Sequence, residues 1–460
     1  MNFFIKKLIY VWSKMCSEMV IEVISKETVT PSSSSLHHLR TSNLSVFDHL
    51  VPDFYIPILF FYPNNSITDH KINIVDHHHS MIIERSKLLK TSLSKTLSRF
   101  YPFAGRIFSH NNILSICCND NGAAFIETRV NCPISKVMEK HNSGILSQLL
   151  PNDPQSTFES TGYLLLVQAN FFECGGLAIG ITISHKIADG FTLGTFIRSW
   201  AAMCLSSNGM ALPATEFCVP ASLYPQQDLF INSLSTSREH VNSEACVNKR
   251  FVFDASNIVR LKSKATSATV PNPTRVEVVT TLLWKCAMEA SRSNLSFTRP
   301  AMLFLAANMR KVLKHPTLMG NLVGCVFAAK TQEGDATLQS LVAILRKSIE
   351  EFKVKYGEGV SRDAICQHFK EHGDLMDNND INNYFCSSWC KFGFYEANFG
   401  WGKPSWVTFP GMKIKNTIVL IDTKDGEGME AFLSLKEEDM AVIETNKELL
   451  AYASLNPTVI

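Results

Sequence analysis

One apolar stretch, YLLLVQANFFECGGLAIGITISHKIADG (residues 163–190), constrains the fold of this chain more than any other. Two apolar runs flank a CGG triplet, and glycines at such a point favour a turn between two strands. The second run carries no charge until it ends at His185, and Asp189 follows four residues later. Apolar residues at helical spacing then predict a helix over 190–204.

His185 is a candidate catalytic base. Histidine has an unperturbed pKa of about 6.5 and is the commonest proton acceptor in catalysis. The end of a strand at a domain interface can present such a group to a cleft. Asp189 would lie about one turn further on, where it could hold the loop or pair with an arginine, and Gly190 would permit the bend. The alternative is a buried histidine followed by a helix-capping aspartate, and the short motif alone favours that alternative.

The rest of the chain alternates strand and helix patterns and predicts a mixed α/β fold. Strands are predicted at 20–33, 53–63 and 123–130 and a helix at 86–100; a second series has strands at 249–254, 301–310 and 322–330, helices at 255–266, 274–290 and 338–356, and a hairpin at 417–435. Between the two series, residues 206–248 show little periodicity, which is typical of an interdomain connection. The predicted organisation is an N-terminal domain (19–214), a crossover loop (215–243) and a C-terminal domain (244–460).

Residues 1–18 are predicted to be a disordered extension. Their longest apolar run, LIYVW, is too short for a signal peptide or a membrane span. A helix lying on a membrane surface is the alternative, and Met19 is a second candidate start of translation.

The charge balance indicates which partners are expected, and the cysteine content indicates the cellular compartment. The chain has 44 Lys and Arg against 42 Asp and Glu, so neither a nucleic-acid partner nor a membrane is expected. The 13 cysteines are odd in number and lack a repeated CxxC spacing. Reduced thiols in the cytoplasm are therefore predicted.

A second motif, FGWG, follows Asn398 about 200 residues after SHKIADG. Alone it would be a structural turn. Together the two motifs resemble the HxxxD and DFGWG signatures of the plant BAHD acyl-CoA-dependent acyltransferases. Other segments resemble that family in the same order: LSKTLSRFYPFAGR, CNDNGAAFIE, KRFVFD, TRVEVVTTLLWK and SSWC. The resemblance spans about residues 19–445 and is strongest for the branch of vinorine synthase and salutaridinol acetyltransferase.

The resemblance implies two chloramphenicol-acetyltransferase-like domains with a channel between them. Acyl-CoA would enter from one face and an alcohol from the other. His185 would take the hydroxyl proton as the oxygen attacks the thioester, within a ternary complex and without an acyl-enzyme. No metal and no permanently bound cofactor are needed, because the thioester is already activated and the reactants need only be aligned.

The resemblance also assigns roles to other residues. Asp189 would be structural and held by Arg310. Ser387 and Trp389 would lie near the thioester, where a developing negative charge needs a donor. Coenzyme A would contact Lys262, Lys264, Thr274 and Arg275, although a solvated helix face explains the lysines equally well.

One departure from the family pattern is Asn398, which replaces the aspartate of DFGWG. We expect it to accept a hydrogen bond from an arginine with about half the strength of a charged pair. The expected consequence is lower stability or altered loop geometry in the structural motif, whose other members are Phe399, Gly400, Trp401 and Gly402.

The sequence therefore predicts a monomeric, cytoplasmic O-acetyltransferase. It would use acetyl-CoA to acylate a hydroxyl of an alkaloid or terpenoid alcohol. The segment LMGNLVGC (318–325) differs from the YFGNC-like segment of malonyl-using members and offers no evident second cation, which favours acetyl. One alternative is a non-catalytic accessory protein of fatty-acid elongation, favoured only by Asn398. Another is a metal site at Asp76–His79, but adjacent histidines point in different directions, so a polar surface loop is predicted instead.

Overall fold

The computed structural model describes residues 19–459 except 52, 65–73, 111–112, 140, 152–161, 206–218, 226–245, 296–298, 331–335, 358–360, 362, 369, 371–377, 379 and 413. The predicted extension 1–18 lies outside the described residues. So does most of the predicted crossover, of which 219–225 are described. The proposed domain limits stay a prediction.

The described residues form two large sheets and one small sheet. In chain order, the strands are β1 (Ile21–Val29), β2 (Thr41–Asn43), β3 (Tyr55–Tyr62), β4 (Arg106–His110), β5 (Ile113–Cys117), β6 (Ala123–Val130), β7 (Leu165–Phe172), β8 (Leu177–Ser184), β9 (Cys246–Phe253), β10 (Ala301–Asn308), β11 (Val323–Lys330), β12 (Asn382–Ser388), β13 (Trp406–Thr408), β14 (Thr417–Asp422), β15 (Met429–Lys436) and β16 (Ser454–Leu455).

The helices pack on these sheets. They are α1 (Val46–Leu50), α2 (Ile74–Leu97), α3 (Ile134–Met138), α4 (Ser143–Gln148), α5 (Gly190–Leu205), α6 (Val219–Leu223), α7 (Ala255–Ala265), α8 (Arg275–Leu295), α9 (Leu338–Gly357), α10 (Glu437–Ile443) and α11 (Lys447–Leu450). Short 3₁₀ helices occur at His37–Leu39, Tyr101–Ala104 and Phe394–Glu396.

Both large sheets mix parallel and antiparallel pairs. The first sheet has the order β1-β6-β7-β8-β3-β13, and only β6 and β7 run parallel. The second has the order β11-β10-β12-β14-β15-β9-β16, with β10–β12 and β12–β14 parallel. The small sheet has the order β2-β5-β4. The mixed α/β prediction is confirmed.

One strand of the C-terminal half belongs to the first sheet. β13 pairs with β3, placing Trp406 opposite Phe61 and Val407 opposite Phe60. Trp406 is fully buried. The chain therefore leaves the second sheet after β12, adds an edge strand to the first, and returns as β14.

The first sheet buries its apolar positions against α2 and α5. Trp200 of α5 donates its indole N–H to Leu89 O (3.2 Å) and Ser92 Oγ (3.0 Å) of α2, which ties the two helices together. Burying an apolar side chain of this kind contributes about 1.5–3 kcal/mol. The same core includes Val419, Ile421 and Phe432 of the second sheet, so the two sheets pack against each other through a common hydrophobic core.

The other face of the second sheet packs against α7, α8, α9 and α10. Strand residues with buried side chains on this face include Leu303, Leu305, Val326, Ile418 and Leu433. In β14 the two faces alternate, since Ile418 and Leu420 join this core whereas Val419 and Ile421 join the first.

Several predictions about local structure need correction. α2 begins at Ile74, so the expected loop at Asp76–His79 is wrong: those residues are helical. Strands β2, β4, β5, β12, β13 and β16 were not predicted. The other predicted strands and helices are confirmed, including the hairpin of β14 and β15.

The described cysteines are all free thiols. Within the described part of the chain, no three His, Cys, Asp or Glu side chains cluster in a way that could hold a metal ion. No helix among the same residues is long and apolar enough to cross a membrane.

Candidate active site

His185 lies directly after β8, where the chain turns towards α5. Its backbone N–H donates to Phe54 O at 2.9 Å, and its ring meets the Phe54 ring edge-on, with centroids 5.2 Å apart. The side chain is half-buried. The strand therefore fixes the backbone of His185 while part of the imidazole stays accessible.

Asn321 determines which nitrogen of His185 carries the proton. Asn321 Nδ2 donates to His185 O at 2.7 Å and to Asp48 Oδ1 at 2.9 Å. Both partners are acceptors, so this atom must be the amide nitrogen, and Asn321 Oδ1 is the atom 3.1 Å from His185 Nδ1. An amide oxygen only accepts. His185 Nδ1 therefore carries the proton, and Nε2 keeps a lone pair that can accept one.

Asp48 orients Asn321 from the opposite side. Its Oδ1 accepts from Asn321 N (3.0 Å), and its Oδ2 accepts from Ser45 N and Ser45 Oγ, both at 2.7 Å. The Ser45 contacts form a capping box at the start of α1. Burial raises the pKa of Asp48. Sequence reasoning missed both Asp48 and Asn321; the S-x-x-D spacing was the one signal for Asp48.

The environment of His185 favours the neutral imidazole. Burial lowers its pKa below the usual 6.5. The hydrogen bond to its own backbone, the Asp189 carboxylate and Asn321 oppose this effect, whereas the positive charge of Lys186 adds to it. Because the imidazole of His185 is then mostly neutral at pH 7, it can accept a proton there.

Asp189 and Arg310 form a buried ion pair between the two halves of the chain. Arg310 Nη1 lies 2.7 Å from Asp189 Oδ2, and Nη2 lies 3.2 Å from Oδ1. Asp189 also accepts from Thr192 N (2.9 Å) and Leu322 N (3.1 Å). The structure thus brings these two predicted residues together. The described hydrogen bonds of the Asp189 carboxylate are to the Arg310 guanidinium and to backbone N–H groups.

Ser387 ends β12, and Trp389 follows it. Trp389 Nε1 donates to Ser387 Oγ at 3.2 Å, so the indole N–H is used within the protein and the Ser387 hydroxyl keeps its own proton to donate. This segment lies against the start of α5: a Cβ at Gly190 would come within 2.7 Å of the Phe392 ring and 3.6 Å of Trp389 Cδ1. Glycine is required there because the two segments are in contact.

The FGWG motif is closed by Asn398 through backbone amides. Asn398 Oδ1 accepts from Gly400 N (2.9 Å) and Gly402 N (3.0 Å). The expected arginine partner is therefore wrong. Gly400 and Gly402 have φ values of 110° and 100°, a region that side chains strongly disfavour, which explains both glycines. A neutral amide suffices for this turn because its partners are neutral.

The aromatic rings of the motif pack on α5. Phe399 meets Trp200 of α5 edge-on (centroids 4.9 Å apart), and Trp401 stacks on Phe399 beneath the Arg85 guanidinium. Trp200 lies ten residues along α5 from Gly190, or about 15 Å at the helical rise. The motif contacts the far part of the helix whose start follows Asp189.

The four predicted coenzyme A contacts lie at the end of α7 and the start of α8. Thr274 caps α8, and Arg275 pairs with Asp422 at 2.5 Å. Lys264 pairs at 2.9 Å with a glutamate of α11, and Lys262 is half-buried. Two of the three cations are therefore neutralised by carboxylates of the protein.

Comparison with known proteins assigns this chain to a family of transferases. The chain matches the family model described as the Transferase family over residues 19–450. It belongs to this family, that of the BAHD acyltransferases.

Among its curated relatives is a 17,18-epoxy-17-hydroxycur-19-ene N-malonyltransferase of Strychnos nux-vomica, 35% identical over 95% of this chain and 91% of the relative. A limonoid 7-O-acetyltransferase of Citrus sinensis is 34% identical over 95% of this chain and 98% of the relative. The crystal structure of vinorine synthase superposes with a TM-score of 0.79 at 32% identity, covering 96% of this chain and all (100%) of that one.

Proposed function

We propose that this protein transfers an acetyl group from acetyl-CoA to a hydroxyl of a plant specialised metabolite, an alkaloid or terpenoid alcohol. The observation that carries the proposal is the neutral imidazole of His185, with Nδ1 bonded to Asn321 and Nε2 left as a base. Relatives that act on alkaloids and terpenoids support the acceptor class.

In this mechanism, His185 Nε2 accepts the hydroxyl proton as the alcohol oxygen attacks the thioester carbonyl. The carbonyl oxygen becomes an oxyanion, and the Ser387 hydroxyl donates to it. Collapse of the tetrahedral intermediate breaks the carbon–sulfur bond, and the imidazolium returns its proton to the thiolate of coenzyme A. Both substrates are bound together and no acyl-enzyme forms.

The preference for acetyl rests on the loop that follows Arg310. The guanidinium of Arg310 already binds Asp189, Leu318 O (2.7 Å) and Gly320 O (2.9 Å). It is therefore not available for the free carboxylate of a malonyl group. Malonyl transfer, the activity named for one relative, is the alternative donor.

We also propose that coenzyme A binds at the end of α7, with Lys262 as its most available cation. Lys264 and Arg275 could contribute only if a phosphate replaced their carboxylate partners. We also propose that the enzyme is monomeric and cytoplasmic; the free thiols of the described residues support the reducing compartment only. The accessory-protein hypothesis rested on Asn398, which the structure accommodates, so no observation now favours it.

The test is an assay of thiol release from acetyl-CoA with a panel of hydroxylated alkaloids and terpenoids, with products identified by mass spectrometry. His185→Gln should lower kcat by about 10²–10⁴-fold, the usual contribution of a general base. The exposed His110 provides a matched control, and His110→Gln should retain the wild-type rate. A His185→Gln variant with wild-type kcat would refute the proposed mechanism.

The pH dependence gives a second check. A base works when unprotonated, and the pKa of His185 is lowered from 6.5. The acid limb of kcat/KM should therefore have its midpoint below 6.5, and activity should persist under mildly acidic conditions. A midpoint above 6.5 would contradict the environment described for His185.

A further inference from the structure

Lys186, the residue after His185, is a buried cation that the proposed mechanism does not use. Its side chain reaches the C-terminal end of α1, where Nζ donates to Val51 O at 2.7 Å and to His49 O at 3.2 Å. Lys186 is 2% exposed. Burying an ammonium costs several kcal/mol unless it is well compensated. Carbonyl groups at a helix C-terminus provide such compensation, because they are oriented with their negative ends outward.

The same short helix also carries Asp48, which orients Asn321 towards His185. Two adjacent residues, His185 and Lys186, are thus both linked to α1. One link runs from the imidazole through Asn321 to Asp48, and the other runs from the ammonium to the end of the helix. A helix of five residues does not hold its own position, since isolated helices of this length are unstable.

We propose that Lys186 is a positioning residue: its ammonium anchors the end of α1, so that Asp48 holds Asn321 against Nδ1 of His185. This inference rests on the proposed role of His185 as base. It explains why a charged side chain is buried immediately beside the site. An apolar side chain of the same length would leave the carbonyl groups of His49 and Val51 without this donor.

The charge of Lys186 has a second effect on His185. The charged groups that act on the imidazole are Asp189, which Arg310 neutralises, and Lys186; Asp48 acts through Asn321. A nearby positive charge disfavours the imidazolium. Removing it should raise the pKa of His185, so the neutral base would become protonated at a higher pH.

The first test needs no substrate, so it is independent of the proposed reaction. Diethyl pyrocarbonate modifies neutral imidazole, and mass spectrometry of the His185 peptide gives its rate against pH. In Lys186→Met the midpoint should rise by about half to one pH unit, and Lys186→Arg should restore the wild-type value. The exposed His79 should be modified at the same rate in all three proteins. An unchanged midpoint for His185 in Lys186→Met, in both the wild-type and the Asn321→Ala backgrounds, would overturn the inference; the second background already lacks the Asn321 hydrogen bond, whose loss lowers the pKa of His185 and could offset the loss of the charge.

Lys285→Met is the matched control. Lys285 is also largely buried and hydrogen-bonded, at 2.6 Å to both Glu289 and Glu448. Unfolded molecules would react with the ordinary histidine pKa of about 6.5 and so raise the apparent midpoint. Both variants are therefore measured under conditions in which tryptophan fluorescence shows them to be fully folded. A shift of the His185 midpoint in Lys285→Met as large as that in Lys186→Met would count against a specific role.

The second test is a double-mutant cycle on kcat, once wild-type turnover has been measured. Lys186→Met should lower kcat about tenfold, the equivalent of one hydrogen bond. In an Asn321→Ala background the same change should cost less than about twofold, because the path from Lys186 to the imidazole is already broken. KM for acyl-CoA should stay unchanged. If Lys186→Met lowered kcat by the same factor in the wild-type and Asn321→Ala backgrounds, or left kcat unaffected, Lys186 would not act through Asn321.

Discussion

The ion pair of Asp189 and Arg310 predicts a large loss of stability when either charge is removed. Their side chains are only 4% and 2% exposed. In Arg310→Met the Asp189 carboxylate would keep the N–H donors of Thr192 and Leu322 but lose its counter-ion. Breaking a buried pair of this kind costs about 3–5 kcal/mol. Asp189→Asn should cost a similar amount, because it leaves the guanidinium uncompensated.

The double variant separates the charge effect from the loss of contacts. Asp189→Asn combined with Arg310→Met removes both charges, so its cost should be smaller than the sum of the single costs by about 2–3 kcal/mol. Urea unfolding followed by tryptophan fluorescence measures each free energy of unfolding.

The chain offers a matched control pair of nearly the same length. Lys403 Nζ and Glu396 Oε2 are 2.6 Å apart, but their side chains are 57% and 58% exposed. Replacing Lys403 with Met should cost no more than about 1 kcal/mol, because water screens the pair and competes for its hydrogen bonds. If Arg310→Met cost as little as Lys403→Met, the interpretation of Asp189 as a buried structural residue would be refuted.

Three further predictions follow from individual environments. Burial lowers the pKa of His141 from 6.5 to about 4. Between these two pH values the unfolded chain binds a proton at His141 and the folded chain does not. The free energy of unfolding should therefore fall by about 1.4 kcal/mol for each pH unit of acidification. His141→Phe should flatten that slope, and an unaltered slope of the unfolding free energy against pH would contradict this. Asn398→Asp should stabilise the protein by about 0.5–1 kcal/mol in urea unfolding, because a charged acceptor strengthens both bonds to backbone N–H; a loss of stability would indicate that the turn needs the neutral amide. Cys174 is exposed, whereas burial raises the pKa of Cys325. Iodoacetamide should therefore label Cys174 first, as followed by mass spectrometry of the two peptides. Faster labelling of Cys325 would be inconsistent with this structure.

The fold was predictable where a segment is long and its apolar residues decide its structure. The stretch at 163–190 folds as the predicted pair β7 and β8, and α5 covers residues Gly190–Leu205. The first turns of α2 were not predicted, because polar residues and three adjacent histidines hide the helical period. β13 was missed for another reason: a three-residue strand is defined by its pairing with β3, which local sequence does not encode.

The site was predictable only in part, because its partners are distant in sequence. His185 begins a five-residue motif, and the family resemblance pointed to Arg310. Asn321 lies 136 residues from His185, and Asp48 lies 273 residues from Asn321. A buried amide has no sequence pattern of its own, so its role becomes visible only when the sheets bring these segments together.

The path of the chain between β12 and β14 connects the FGWG motif to Ser387. These strands are parallel neighbours, and such a pair requires a crossover connection. Here β13 makes the crossover by joining the first sheet. The left-handed glycines of FGWG turn the chain just before β13, and Ser387 lies just before the departure. A change in that turn is therefore expected to shift Ser387, the proposed donor to the oxyanion, relative to α5.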